Sequence, residues 1–142
     1  MHKAFGKTED VEYTTRIGAY FIPIEDNKIG VIQTPKGYFL IGGGKEKNET
    51  DEDCLKRECL EEIGYEIKID SKICSAETYT LHEKIGYFHP VQIYYSGILK
   101  ERIKTPIEKD HNLVWLEFDD IQNRMYSQMQ NWAIKQCIKG LE

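Results

Sequence analysis

The sequence predicts an α+β fold, a mixed β-sheet with one helix on each face. Apolar and aromatic runs of strand length recur between turn residues from Arg16 to Phe118. A helix-period segment interrupts them between Thr50 and Gly64, and a second closes the chain from Ser127. Two helices and one set of strands bury their apolar faces most simply as a layered sandwich. The 142 residues suffice for one hydrophobic core. A single domain over 1–142 is therefore expected, with residues 1–14 as a loose arm or an edge strand. Hydrophobic content of 40% and charged content of 30% are globular values and argue against disorder.

Residues Arg16 to Ile24 are apolar and aromatic (Ile17, Tyr20, Phe21, Ile22, Ile24) and read as a buried strand. Glu25-Asp-Asn-Lys28 is turn chemistry, so Ile29 to Thr34 is the returning strand of a hairpin. Pro35-Lys-Gly37 is a second turn, after which Tyr38 to Ile41 delivers the chain into Gly42-Gly-Gly44. Thr50 with Asp53 three residues on predicts a helix N-cap, and the acidic first turn suits the helix dipole. Leu55, Cys59 and Ile63 form the core-facing stripe, and Gly64 fits the left-handed position that ends a helix. Strands are expected from Tyr65 to Ile69, from Ile73 to Leu81 and from Phe88 to Leu99, with Pro90 marking an edge or a bulge. Lys100 to Asn112 reads as a charged loop and Leu113 to Phe118 as the final strand. Asp119 or Asp120 is expected to cap a short helix. Ser127 and Gln130 then form a capping box before a stripe of Met129, Trp132, Ala133 and Cys137.

A formal charge of −5 argues against a duplex nucleic-acid binder, though a nucleotide ligand stays open because a metal can screen phosphate. The four cysteines have neither CxxC spacing nor a histidine at zinc-ligand spacing, and read as reduced thiols. No apolar run fits a signal peptide or a bilayer span, so no membrane partner and a cytoplasmic location are expected.

The helix after the glycines carries Arg57, Glu58, Glu61 and Glu62. Side chains three and four apart share a helix face, so the three glutamates crowd one patch at the rim of the buried stripe. A hard divalent cation, which takes carboxylate oxygens together with substrate phosphate, would relieve their repulsion. The whole stretch reads Gly43-x5-Glu49-x7-Arg57-Glu58-Cys59-x-Glu61-Glu62-x-Gly64-Tyr65. It resembles the Nudix box, G-x5-E-x7-R-E-U-x-E-E-x-G-U, with U a bulky apolar residue. At roughly 6–7% per residue type, a chance match to its seven fixed letters is on the order of one in a million, so the resemblance is specific. It extends to the element order over about residues 15 to 138 and implies a Nudix-type α/β/α sandwich.

The resemblance implies hydrolysis of a diphosphate linkage in a small nucleotide substrate, with Mg2+ or, in its place, Mn2+. It assigns metal ligation to Glu61 and Glu62, with Glu58 sharing the metal or acting as catalytic base, and to the backbone carbonyl of Gly42. Arg57 is a catalytic-site organiser that pairs with Glu49 or Glu58, rather than a clamp on substrate. Arg16, Gly43 and Gly44 are candidates for substrate contact. Relatives also take the base from a loop after the long strand, which here offers Glu108, Asp110 and His111, Glu108 being a further candidate ligand. The family pattern is broken at Cys59, where a branched aliphatic is usual, at Ile41, where proline is common, and at Asn48, where glycine is common. None of these touches a charge.

Substrate markers are absent. Thr80 stands where relatives that cleave ADP-ribose often carry proline, and Leu81, His82 and Glu83 stand where those that cleave dinucleoside polyphosphates often carry tyrosine. Tyr38, Phe39, Tyr79, Phe88 and His89 are candidates to stack a base, although strand aromatics more commonly pack into cores. The competing reading is a catalytically silent Nudix-fold module that senses a nucleotide or binds protein. The oligomeric state is open, a homodimer included.

Overall fold

The computed structural model describes residues 1–106 and 110–142. Strands β1 (His2–Phe5), β2 (Thr14–Glu25), β3 (Lys28–Thr34), β4 (Gly37–Phe39) and β5 (Ile41–Gly44) precede helix α1 (Asp51–Glu62). Strands β6 (Tyr65–Thr78), β7 (Thr80–His82), β8 (Gly86–Arg102) and β9 (Asn112–Glu117) then lead to helix α2 (Gln128–Leu141).

The sheet grows outward from β2. One edge of β2 runs parallel to β8 from Thr14↔Phe88 to Pro23↔Gly97, and the other pairs antiparallel with β5 from Gly18↔Gly44 to Phe21↔Ile41. Its end turns into β3 through Asp26 and Asn27, at φ 52° and 59°. Two positive φ values in the corner match the twist of the flanking strands, and short polar side chains tolerate them. Beyond β8 lie β6 and then β1, which pairs parallel with β6 as an edge strand. β4 and β9 both pair with β3.

Alternation along β2 sorts the two cores, because successive strand side chains face opposite sides. Ala19 and Phe21 pack with Cys54, Leu55, Cys59 and Ile63 of the α1 layer. Ile22, flanked by Tyr20 and Ile24, packs with Ala133, Ile134 and Cys137 of α2. The helices thus cover opposite faces of a mixed sheet, as expected. All four cysteines are buried and free. No helix is long and apolar enough to cross a membrane.

Four local expectations are corrected. Residues 65–78 form one strand, since register shifts at Tyr65/Ile67, Ile69/Ser71 and Lys72/Cys74 absorb the polar stretch without ending the ladder. Pro90 is not on an edge strand. It falls where pairing with β6 ends at Glu77↔Val91 and pairing with β7 begins at Thr80↔Phe88, so its missing N–H breaks neither ladder. Asp119 and Asp120 open no helix, and the chain there makes turns closed by Asp120 N–H and Ile121 N–H on the Glu117 carbonyl. Ser127 occupies the N-cap of α2 without a side-chain cap bond, and the reciprocal half of the box is missing because Gln130 turns inward to the Leu40 backbone.

At α1 the capping box forms as expected. Thr50 Oγ1 accepts from Asp53 N–H at 3.1 Å, and Asp53 Oδ2 accepts from Thr50 N–H at 3.4 Å. Thr50→Ala should therefore lower stability by about 1 kcal/mol. Urea unfolding checks this, and an unchanged midpoint would show that the cap contributes nothing.

Candidate functional site

The site forms where β5 runs past the last turns of α1. Lys45 N–H donates to the Ile17 carbonyl at 2.9 Å, so alternate residues of β5 face β2. Gly42 and Gly44 lie between and face the other way. Gly42 N–H donates to Glu62 Oε1 at 3.2 Å, and the Gly44 carbonyl accepts from Arg57 Nη2 at 3.1 Å. The N–H and C=O of one strand residue point to the same edge, so the Gly42 carbonyl opens on the Glu62 side. Gly42 has φ 151° and a Cβ there would collide with the Ala19 carbonyl. A Cβ on Gly43 would lie 2.7 Å from Glu58 Oε1, so glycine lets the carboxylate approach the backbone.

Arg57 organises the carboxylates. Its Nε and Nη2 grip Glu49 at 2.7 and 2.9 Å, a two-point fork. Its Nη1 donates to Glu58 Oε1 at 2.8 Å and to Glu61 Oε2 at 3.3 Å. With the Gly44 carbonyl added, these contacts use all five guanidinium N–H groups. The Arg57 guanidinium holds the Glu49 carboxyl down to about 2, and Glu49, with Glu58 after it, pushes the guanidinium further up.

The sequence-predicted residues therefore separate into two groups. Glu49, Glu58 and Glu61 surround Arg57, while Glu62, with a side chain 11% exposed, faces Gly42 and His111. The repulsion inferred for three clustered glutamates is relieved at two of them by Arg57. Among the described residues no three of His, Cys, Asp and Glu already converge as a ready metal cage. The donor chemistry nevertheless suits a hard cation, being carboxylate and carbonyl oxygen throughout. Glu58 Oε2 and Glu61 Oε1 make no hydrogen bond among the described residues, so Arg57 leaves each carboxylate an oxygen.

An open cleft of about 980 Å³ runs from these glycines along the α2 face of the sheet. Glu62, Arg16, Asp110 and His111 line its end at the glycines, and Arg16 lies against Gly44. His111 Nδ1 is 3.9 Å from Glu62 Oε2 and, though buried, has no hydrogen-bond partner among the described residues. Glu108 lies outside the described residues. Burial, and then the charge of Glu62, pushes the Tyr20 hydroxyl up to about 12, so it stays protonated at neutral pH.

Of the aromatic candidates, Phe39 and Phe88 line the cleft. Tyr79 and His89 instead stack on each other, with centroids 4.2 Å apart. Sequence reasoning missed Tyr20, Gln92, Tyr126 and Gln130 as cleft residues. For Gln92 the signal was present: Phe88, Pro90 and Gln92 share one face of β8 by simple alternation.

A sequence profile of the NUDIX domain matches residues 14–136. The chain belongs to the Nudix family. Its fold is shared with a MutT Nudix hydrolase from Burkholderia pseudomallei, at TM-score 0.72 and 21% identity over 87% of this chain and 98% of that one. A Nudix hydrolase from Nitrosomonas europaea gives TM-score 0.71 and 16% identity over 89% and 90% of the two chains. A protein named as an ADP-ribose pyrophosphatase from Streptococcus suis gives 0.68 and 14% over 91% and 93%. No curated protein matches the chain. The stretch from Gly43 to Tyr65 is thus the Nudix box of this chain, and the ion pairs around Arg57 are formed within it.

The depressed Glu49 carboxyl has a signed consequence. Its contribution to stability is present above its ordinary value of 4.5 and is lost as pH falls from there through about 2. Glu49→Gln should therefore melt below wild type at pH 7, with the gap closing across that window. Parallel melting curves from pH 7 to 2 check this, and a gap independent of pH would refute the ion-pair account.

Proposed function

We propose that this Nudix protein is a divalent-metal-dependent hydrolase that cleaves a diphosphate linkage in a nucleoside di- or triphosphate derivative by attack of water on phosphorus. The supporting observation is the complete set of box charges beside a cleft large enough for a nucleotide: Glu62 and Gly42 line one end of it, while Arg57 holds Glu58, which lies against Gly43, and Glu61. Glu58, Glu61, Glu62 and the Gly42 carbonyl would hold the cation, Mg2+ or Mn2+. Bound there, the cation supplies charge neutralisation to the diphosphate oxygens.

The chain's own residues do the rest. Arg57 has no donor left for substrate, so its work is to fix Glu49, Glu58 and Glu61 against the glycines of β5. Arg16, which lines the cleft beside Gly44, would meet phosphate. Among the described residues, acceptors for the proton of the attacking water include His111 Nδ1 in its neutral form, the Asp110 carboxylate in the cleft and, if the cation leaves it free, Glu58 Oε2. Names among the structural relatives, an ADP-ribose pyrophosphatase and a UDP-X diphosphatase, fit this class of bond.

A phosphate- and pyrophosphate-release screen over nucleoside triphosphates, nucleotide sugars and dinucleoside polyphosphates, with Mg2+ and Mn2+, tests the proposal. Glu61→Gln and Glu62→Gln should each lower kcat by roughly a hundredfold or more, the loss of several kcal/mol of charge stabilisation. Full activity in both variants would remove the ligand assignment.

A further inference from the structure

One polar side chain in the cleft has its orientation forced from the backbone outward. The Leu40 backbone N–H can only donate, and it donates to Gln130 Oε1 at 2.8 Å. Gln130, which is 2% exposed, must then present its NH2 group, and Nε2 lies 3.2 Å from Gln92 Oε1. The Tyr94 hydroxyl donates to that same oxygen at 2.7 Å. Two donors saturate the two lone pairs of an amide oxygen. Amide orientations are otherwise matters of assignment, but this one starts from a group with no alternative. The NH2 group of Gln92 makes no hydrogen bond among the described residues, and the side chain lines the cleft.

We propose that Gln92 reads the base of the substrate as a donor-only amide, selecting nucleotides whose base presents carbonyl oxygens (guanine or uracil) over adenine. This rests on the nucleotide hydrolysis proposed above. A carboxamide recognises adenine by donating to a ring nitrogen while accepting from the 6-amino group. Gln92 cannot accept, because its oxygen is occupied twice inside the protein. An acceptor-rich edge, O6 with N7 in guanine or O4 in uracil, matches what remains.

Placement agrees with this. Gln92 pairs with Gly18 across β8 and β2, and Gly18 pairs with Gly44 across β2 and β5. Residues paired directly across strands share a face, so the three lie in one row on the cleft floor. Two strand spacings, roughly 10 Å, separate Gln92 from Gly44. Gly18 places no side chain between them, which leaves a sugar-sized gap between base and phosphates.

The test compares guanosine, uridine and adenosine triphosphates with Mg2+. Wild type should favour an oxo base over adenine by about tenfold or more in kcat/KM. Gln92→Glu, nearly isosteric, can accept but not donate and should invert the preference toward adenine. Gln92→Leu should bring the ratio close to one, and it decides the matter alone if the glutamate variant does not fold. A wild-type ratio of one or below, or a ratio unchanged in the variants, overturns the inference. Melting-temperature shifts with the corresponding nucleoside monophosphates read base preference without turnover. Failure to hydrolyse any compound of the wider screen would remove the proposed reaction while this ranking still judges Gln92, and equal shifts would refute its role.

Discussion

Arg57 is the constraint on which the site depends. Its guanidinium is a rigid planar fork, and each of its N–H groups meets an oxygen: two on Glu49, one each on Glu58 and Glu61, and the Gly44 carbonyl. Those acceptors come from the loop, the helix and β5, so a single side chain sets the distance between three pieces of backbone. Lysine could not do this, since a point charge on a flexible stem has no fixed fork. The close fit explains the glycines as well. Glu58 can approach Arg57 only by passing over Gly43, where any Cβ would lie against the carboxylate.

The same contacts change the meaning of the acidic cluster. Three glutamates on one helix face look like an unsolved electrostatic problem in sequence, because helical neighbours are judged by their own spacing. In the folded chain Arg57 relieves two of them, and Glu62 is drawn to the Gly42 amide on the far side. Repulsion among the glutamates therefore leaves little demand for a cation. Every donor at the site is a hard oxygen, and Glu58 and Glu61 each keep one oxygen that Arg57 does not use.

What was legible in the sequence follows from contact range. The box, the cap at Thr50 and the Gly64 stop (φ 74°) are local, and composition with spacing suffices to place them. The two helix layers were legible because alternation along β2 and the four-residue stripe of α1 both report a buried face. Two of the misreadings share one cause. Asp70-Ser-Lys72 resembles a break, yet pairing with β8 carries β6 through it by shifting register. Ser127 and Gln130 have the spacing of a capping box, yet an unsatisfied amide at Leu40, ninety residues away, takes the glutamine. Local pattern loses wherever a buried backbone group needs a distant partner.

That competition also separates chemistry from specificity in this fold. The carboxylates lie within one contiguous stretch because a helix and the loop before it can hold them without outside help. The cleft beyond them is assembled from β2, β8 and α2, whose contributions are tens of residues apart and whose roles depend on register. At Gln92 the dependence is complete. Its own identity says that it can donate and accept equally, and only the chain of bonds from Leu40 through Gln130, joined by Tyr94, fixes which it offers. Pro90, two positions back on β8, faces the same cleft without that constraint. Reading such a position requires the whole fold, because its meaning is set by which half of the side chain the protein has already used.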